Sequence, residues 1–432
     1  MISSKINEGI NGIPNIPGDK SISHRSIIIP SISNGVCEIN NILKSDDVFH
    51  TLNAFKNMGV RIEEKNQKLI IYGKGLNSLK EAKNEIYLGN SGTSARLLTG
   101  LLSAQKFKSV LKGDESLSKR PMKRISDPLS NMGAKIRITN GSLPLIIEGK
   151  DLSPSNINLE IPSAQIKSGL LLASLYINGE TTITEYKITR DHTETMLQSF
   201  GANIDVKLMN KERKITIVGQ KELQSKNIDV PNDLSSSSFF IVSALINKNS
   251  HLILKNINNN SSRNGILLAL KKMGAKINLK NQRKNNNENV CDIEVVSSEL
   301  NGCDLGPEYA DLMIDEYPIL SIAASFARSP SIFRGLKELR VKESDRLKLI
   351  LLNLQNCGVD CRVENDNLYI NPTKNYKIKN HIIRTDFDHR IAMSFCIMGT
   401  KVGPLNIDNE DSIKTSFPTF KEEFNKLGGA IF

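Results

Sequence analysis

Met58-Gly59-Val60-Arg61-Ile62 decides the fold, because the same phrase returns along the chain. Its copies are Met132-Gly133-Ala134-Lys135-Ile136, Phe200-Gly201-Ala202-Asn203-Ile204, Met273-Gly274-Ala275-Lys276-Ile277, Cys357-Gly358-Val359-Asp360-Cys361 and Leu427-Gly428-Gly429-Ala430-Ile431. They recur at intervals of roughly 70 residues, each at the end of an apolar helical stretch. A Gly after the last apolar residue of a helix predicts a left-handed cap, and the alternation behind it predicts a strand. One helix-to-strand unit is therefore repeated six times, which sets the architecture before any single side chain is interpreted.

A second pattern lies between these copies: a strand-like run, a polar break with Asp, Ser or Asn, then an apolar helix. Its six segments are IPNIPGDKSISHRSIIIPSI (13–32), EIYLGNSGTSARLLTGLL (85–102), LEIPSAQIKSGLLLASL (159–175), IDVPNDLSSSSFFIVSAL (228–245), MIDEYPILSIAASF (313–326) and RTDFDHRIAMSFCIM (384–398). Each break caps a helix N-terminus, where unpaired N–H groups and the positive dipole end favour a negative ligand. Two helices and a few strands per unit give two domains of three units. The Pro-bearing stretches Ile13-Pro17 and Ile228-Asp233 are expected to carry the chain between domains, the second opening the fourth unit.

At 432 residues the chain exceeds one ordinary core, in keeping with two domains. With 39% hydrophobic and 24% charged residues it reads as a soluble globular protein, and no apolar run is long enough to span a bilayer. The first twenty residues lack the layout of a signal or transit peptide, so the expected location is cytoplasmic. Six scattered cysteines without CxxC spacing predict reduced, mostly buried thiols and no metal site. The net charge of +11 points to anionic partners. Nucleic acid is a poor fit, since aromatics are 5%, Trp is absent and the basic residues of interest stand singly at helix starts.

Those single basic residues are the chemical signal. PGDKSISHR places Lys20 and Ser21 in a first helical turn with Arg25 one turn on. GNSGTSAR offers Gly92, where the absent side chain lets a ligand approach the backbone, and Arg96. SKRPM sets Arg120 ahead of Pro121, which pre-sets the following helix; Lys119, Lys123 and Arg124 read as a solvated face. SAQIKSG gives the neutral donors Ser163 and Gln165 around Ala164. TRDHTE adds Arg190, with Asp191 or Thr193 as caps and His192 as a surface or cap residue. MIDEYP carries Asp315 and Glu316. RVKESDRLK carries Lys342, Glu343 and Arg346, with Lys342 and Arg346 on one expected helical face, and DFDHRIAM carries Asp388, His389 and Arg390. The Asp233-Leu234-Ser235 start has no assignable charged partner. Cations from one half and cations with acids from the other suit a cleft that closes on small, multiply anionic substrates.

In this order and over nearly the whole chain, PGDKSISHR, GNSGTSAR, KRPM, SAQIKS, TRDHTE, MIDEYPIL, LRVKESDRL, DHRIAMSF and TSFPTF resemble the 5-enolpyruvylshikimate-3-phosphate synthase family, in its class II form. The resemblance implies an inside-out α/β barrel fold of two domains, each three βαβαββ units, spanning 16–228 and 1–15 plus 229–432, with the active site in the cleft. It implies transfer of the enolpyruvyl group of phosphoenolpyruvate to the 5-hydroxyl of shikimate 3-phosphate, with no metal or organic cofactor, by a monomer. Carried over by position, Asp315 accepts the hydroxyl proton, Glu343 protonates the methylene, and Lys20 bridges both substrates. Ser21, Arg25, Ser163, Ala164, Gln165, Arg190, Asp315 and Lys342, with Lys20, would hold shikimate 3-phosphate. Gly92, Arg120, Gln165, Arg346 and Arg390, with Lys20, would hold phosphoenolpyruvate. Two departures stand out: Ala164 replaces a class I Ser, and Thr415 aligns with a class I Lys, leaving Lys414 one residue away. The bare Gly92 implies sensitivity to glyphosate. The related UDP-N-acetylglucosamine enolpyruvyl transferases begin their site with Lys-Asn and carry a loop Cys; here Ser21 follows Lys20 and 113–120 has no Cys.

Overall fold

The computed structural model describes residues 1–209, 212–373 and 375–432. All six repeated glycines adopt left-handed φ: 88° at Gly59, 99° at Gly133, 86° at Gly201, 88° at Gly274, 81° at Gly358 and 103° at Gly428. At each, the Gly N–H returns to the carbonyl three residues back and the next N–H to the carbonyl five back, as in Gly59 to Lys56 and Val60 to Phe55, both 3.0 Å. This is the Schellman cap, which satisfies the orphan carbonyls of a helix end while turning the chain into the next strand.

The strands behind these caps form five four-stranded sheets and one three-stranded sheet among the described residues. One arrangement recurs. In the second repeat, Ile86–Tyr87 runs parallel to Lys108–Lys112, which pairs antiparallel with Ser142–Glu148, itself antiparallel to Lys135–Thr139. Ser142–Glu148 buries Leu143, Leu145 and Ile147 and leaves the alternate residues nearer solvent, the pattern of a one-sided sheet. The sheets stay open, so the architecture is inside-out α/β without a closed barrel among the described residues.

The second set of helices forms the interior. All 13 residues of Leu234–Ile246 are buried, and Gly92–Ser103 buries every residue but Thr93 and Arg96. Helices apolar on all sides must be enclosed on all sides. Gly100 meets Gly169 so closely that an added Cβ would lie 1.9 Å from the Gly169 carbonyl oxygen, which fixes the crossing of Gly92–Ser103 with Ala164–Ser174. Buried hydroxyls along these helices bond the carbonyl four residues back, as Thr99 does to Ala95 at 2.6 Å and Ser321 to Tyr317 at 2.7 Å. The six cysteines are buried thiols.

The chain groups into two compact halves, each with its own hydrophobic core. The N-terminal half is Gly18–Val230 with Asn285–Glu288; the C-terminal half is Met1–Pro17, Pro231–Lys284 and Asn289–Phe432. The changes of half fall two residues after the expected 15/16 and 228/229, and the hairpin turn at 285–288 groups with the N-terminal half rather than the C-terminal one. Strand exchange corrects one expectation. Ile228–Asp229 does not open the fourth repeat; it pairs parallel with Asn34–Asn40 in the first. The corresponding place in the fourth is taken by Asn11–Gly12, parallel to His251–Asn258. Ile2–Ser3 likewise joins the last sheet, antiparallel to Leu405–Ile407.

Candidate active site

In the N-terminal half, three interior helix starts carry the candidate residues. Asp19, Ser91 and Ser163 cap them, each side chain accepting a backbone N–H of the first turn. Lys20, the first residue of Lys20–Ser31, pairs with Asp47 at 2.5 Å. Arg25 is buried, and its guanidinium donates to Thr193 Oγ1 at 2.6 Å, Ser168 Oγ at 2.7 Å and the Ser21 carbonyl at 2.8 Å. None of those partners is charged, and burial pushes Arg25 down to about 10, outweighing the attraction of Glu194 and Asp19. His24 beside it is buried against Thr51 at 2.7 Å, and burial, then Lys20 and Arg25, hold it well below the usual histidine range.

Gly92 opens the second start, where Arg96 donates to Gln165 Oε1 at 2.8 Å and Gln165 donates to Thr93 Oγ1 at 3.0 Å. Arg120, buried at the end of the short turn Leu117–Lys119, bonds the Asn90 side chain. A Cβ on Gly92 would lie 2.8 Å from Arg96 Nη1 and 2.9 Å from Arg120 Nη1, so two guanidinium groups converge on this bare backbone. Ser163 and Ala164 stand as cap and first residue of the third start. Arg190 lies close enough to Arg25 to contribute to lowering it. Lys119 is exposed and paired with Glu115, while the expected helix after Pro121 begins at Lys123.

The C-terminal half centres on Arg346. Its guanidinium is fully buried and reaches Asp388 at 2.8 Å, Asp315 at 3.0 Å and Glu343 at 2.5 Å. Burial opposes its charge, but Asp388, Glu343 and Asp315 together raise its pKa. Lys342 adds a second cation 3.4 Å from Asp315. Lys342 does not share a helical face with Arg346: the helix starts at Arg346, capped by Asp345, and Lys342 lies outside it. Arg390 donates through Nη1 to the Asp315 carbonyl at 3.1 Å and sits 3.5 Å from Glu316 Oε1. His389 contacts Thr415 Oγ1 at 3.4 Å, and exposed Lys414 pairs with Asp411 at 2.6 Å.

The family model for EPSP synthase (3-phosphoshikimate 1-carboxyvinyltransferase) matches residues 5–424. The chain belongs to the EPSP synthase family. It is 45% identical over 426 residues to the 3-phosphoshikimate 1-carboxyvinyltransferase of Ruthia magnifica subsp. Calyptogena magnifica, covering 98% of this chain and 97% of that one. The enzyme of the same name from Petrotoga mobilis is 44% identical, with 97% and 98% covered. The solved EPSP synthase of Acinetobacter baumannii superposes with a TM-score of 0.86 at 42% identity, covering 99% of this chain and 98% of that one.

Several groups of this EPSP synthase family member escaped the sequence. Lys167 is wholly buried, 2.7 Å from both Glu185 and Glu194, with Arg213 3.7 Å from Glu194. His192 is not a surface residue; it is buried 2.7 Å from Glu288. The fourth repeat's helix start does hold a cation, since Arg263 lies 3.1 Å from Asp233. A Lys amid the apolar run of Ala164–Ser174 is a readable hint of a buried partner, whereas its carboxylates come from other segments and leave no local trace. Among the described residues no group of three His, Cys, Asp or Glu is placed to hold a metal ion, and no helix is long and apolar enough to cross a membrane.

Proposed function

We propose that this chain transfers the enolpyruvyl group of phosphoenolpyruvate to the 5-hydroxyl of shikimate 3-phosphate, releasing inorganic phosphate, in the shikimate pathway to aromatic compounds. Family membership and full-length identity to enzymes named for this activity support the reaction. The proposal includes a monomer acting in the cytoplasm on small anions, with no metal, organic cofactor or nucleic acid.

The observation that carries the chemistry is one buried guanidinium, Arg346, joined to Asp315, Glu343 and Asp388. Asp315, whose carboxylate lies 3.0 Å from Arg346 and 3.4 Å from Lys342, is the base that accepts the 5-hydroxyl proton. The oxygen then bonds to C2 of phosphoenolpyruvate while C3 takes a proton, giving a tetrahedral adduct. Glu343 is the acid for that step. Glu343 accepts from Arg346 at 2.5 Å, and the carboxylate and phosphate of phosphoenolpyruvate would compete for that same guanidinium, which brings the substrate beside this acid. Return of a C3 proton to the Glu343 carboxylate, with cleavage of the C2–O bond to phosphate, completes the transfer. Lys20, Arg120, Arg346 and Arg390, with Gly92 and Gln165, bind phosphoenolpyruvate. Lys20, Ser21, Arg25, Ser163, Ala164, Gln165, Arg190, Asp315 and Lys342 bind shikimate 3-phosphate.

Phosphate release on mixing both substrates, with each omitted in turn, tests this reading; release with UDP-N-acetylglucosamine in place of shikimate 3-phosphate would overturn it. Asp315→Ala is expected to lower kcat by roughly 10²–10⁴ while shikimate 3-phosphate still binds. Unchanged turnover would remove Asp315 from its role.

A further inference from the structure

Five of the six interior helix starts are capped by their own side chain; the exception is Tyr317–Ser325, whose cap residue Glu316 makes no such bond. The Glu316 carboxylate is spent elsewhere. It is buried, and Oε1 accepts from the Ser235 hydroxyl and lies 3.5 Å from Arg390 Nη1. Ser235 in turn accepts from Arg263 at 2.8 Å, and the same Arg263 nitrogen reaches Asp233 at 3.1 Å. Asp233, Ser235, Arg263 and Glu316 are each at most 3% exposed. The line Arg263, Ser235, Glu316, Arg390 thus joins three helix starts of the C-terminal half. Its two cations balance Asp233 and Glu316, so no member can be removed without leaving charge or polarity unpaired in a dry interior.

The far end of this line matters for chemistry. Arg390 uses only Nη1 for its protein contacts, and among the described residues Nε and Nη2 carry no partner. Those two nitrogens are the edge of a guanidinium that grips a carboxylate or phosphate through parallel bonds. Holding one nitrogen fixes the plane of the fork; an unheld fork would lose rotamer freedom on each binding event.

We propose that Glu316, held by Ser235 and Arg263, is a positioning residue that orients Arg390 for phosphoenolpyruvate, so that the fourth repeat serves the site without touching substrate. This rests on the reading given under Proposed function, in which Arg390 binds that substrate. Ser235→Ala breaks the line without deleting a charge and is expected to raise the KM for phosphoenolpyruvate about tenfold, with the KM for shikimate 3-phosphate within twofold of wild type. Glu316→Gln should do the same more strongly, and Ser235→Thr, which keeps the hydroxyl, should restore most of the affinity. Ser321→Ala removes an equally buried hydroxyl that bonds only backbone, so it reports the effect of lost packing alone; its two KM values should stay at wild type. A Ser235→Ala protein with both KM values unchanged, or with both raised alike as in a loosened fold, overturns the positioning role. Absence of phosphate release by the wild-type protein would instead overturn the underlying reaction, so the two failures are distinct.

Discussion

Arg25 and Arg346 are the same side chain, both withdrawn from water, and their electrostatics run in opposite directions. Arg25 is surrounded by two hydroxyls and a carbonyl, and burial pushes it down to about 10. Arg346 is surrounded by three carboxylates, which raise it against the same burial. Arg25 has only neutral hydrogen-bond partners, and the attraction of Glu194 and Asp19 does not offset its burial, so an anionic ligand would complete it. Arg346 already has three carboxylate partners, and its buried guanidinium fixes where they sit. The buried cation of the N-terminal half is therefore short of negative partners, while that of the C-terminal half has three.

The sharpest way to break this contrast is to delete each charge. Arg346→Met removes the buried cation that Asp315, Glu343 and Asp388 share and is expected to cost about 3–5 kcal/mol of stability along with activity. Arg25→Met leaves Thr193 and Ser168 still bonded to each other at 2.6 Å and Ser168 to the Ala164 carbonyl at 2.6 Å. Its expected stability change is within about 1 kcal/mol, with the KM for shikimate 3-phosphate raised at least roughly tenfold. Urea unfolding and steady-state kinetics on both variants decide it. Equal losses of stability would mean that the two arginines are structural in the same sense.

The contrast also marks what could be read in advance. Helix caps are local: a Gly in left-handed φ and the two N–H bonds behind it involve six consecutive residues, so the six repeats were legible from spacing alone. Helix starts were legible for the same reason, and with them the positions of Lys20, Gly92, Ser163 and Arg390. Partners were not. Thr193 meets Arg25 from 168 positions away, and Glu185 and Glu194 meet Lys167 across separate segments. Two-residue strands such as Asn11–Gly12 and Ile228–Asp229 carry too little pattern to reveal which sheet they complete. A spacing of four puts Lys342 and Arg346 on one face only inside a continuous helix, whereas the Asp345 cap, bonding the Lys348 N–H at 3.0 Å, starts the helix beyond Lys342.

Gly92→Ala sharpens the comparison within the binding cluster. The added methyl presses on Arg96 and Arg120 at 2.8 and 2.9 Å, contacts with flexible side-chain ends that can move. The fold should survive, and the KM for phosphoenolpyruvate should rise by about tenfold, the usual weight of one methyl in a tight site. The bulkier inhibitor glyphosate should lose more affinity than the substrate does. Equal losses, or wild-type inhibition that is negligible at millimolar glyphosate, would count against crowding at this position.

A smaller effect comes from His24, buried beside Arg25. Its folded pKa lies below the unfolded value, so between the two the unfolded chain binds the extra proton and stability falls as pH drops. The contribution is complete above about pH 6.5 and is lost on acidification, at up to about 1.4 kcal/mol per pH unit for one proton. Urea midpoints at pH 7.5 and 5.5 should differ less in His24→Asn than in wild type. Identical pH slopes would show that His24 does not titrate with folding.

The smallest effects should erase the difference between the halves altogether. Gly133 in the N-terminal half and Gly274 in the C-terminal half occupy the same cap, with φ of 99° and 88°. A Cβ at Gly133 meets nothing within 4 Å, and at Gly274 its nearest neighbour is Asn301 Nδ2 at 3.7 Å. Alanine at either place therefore pays only for left-handed backbone, about 1 kcal/mol, with no steric conflict. Both variants should lose stability alike and keep wild-type kinetics. A change in KM at either position would mean that the caps tune the clusters as well as ending the helices, and the separation between a common frame and two unlike chemistries would fail.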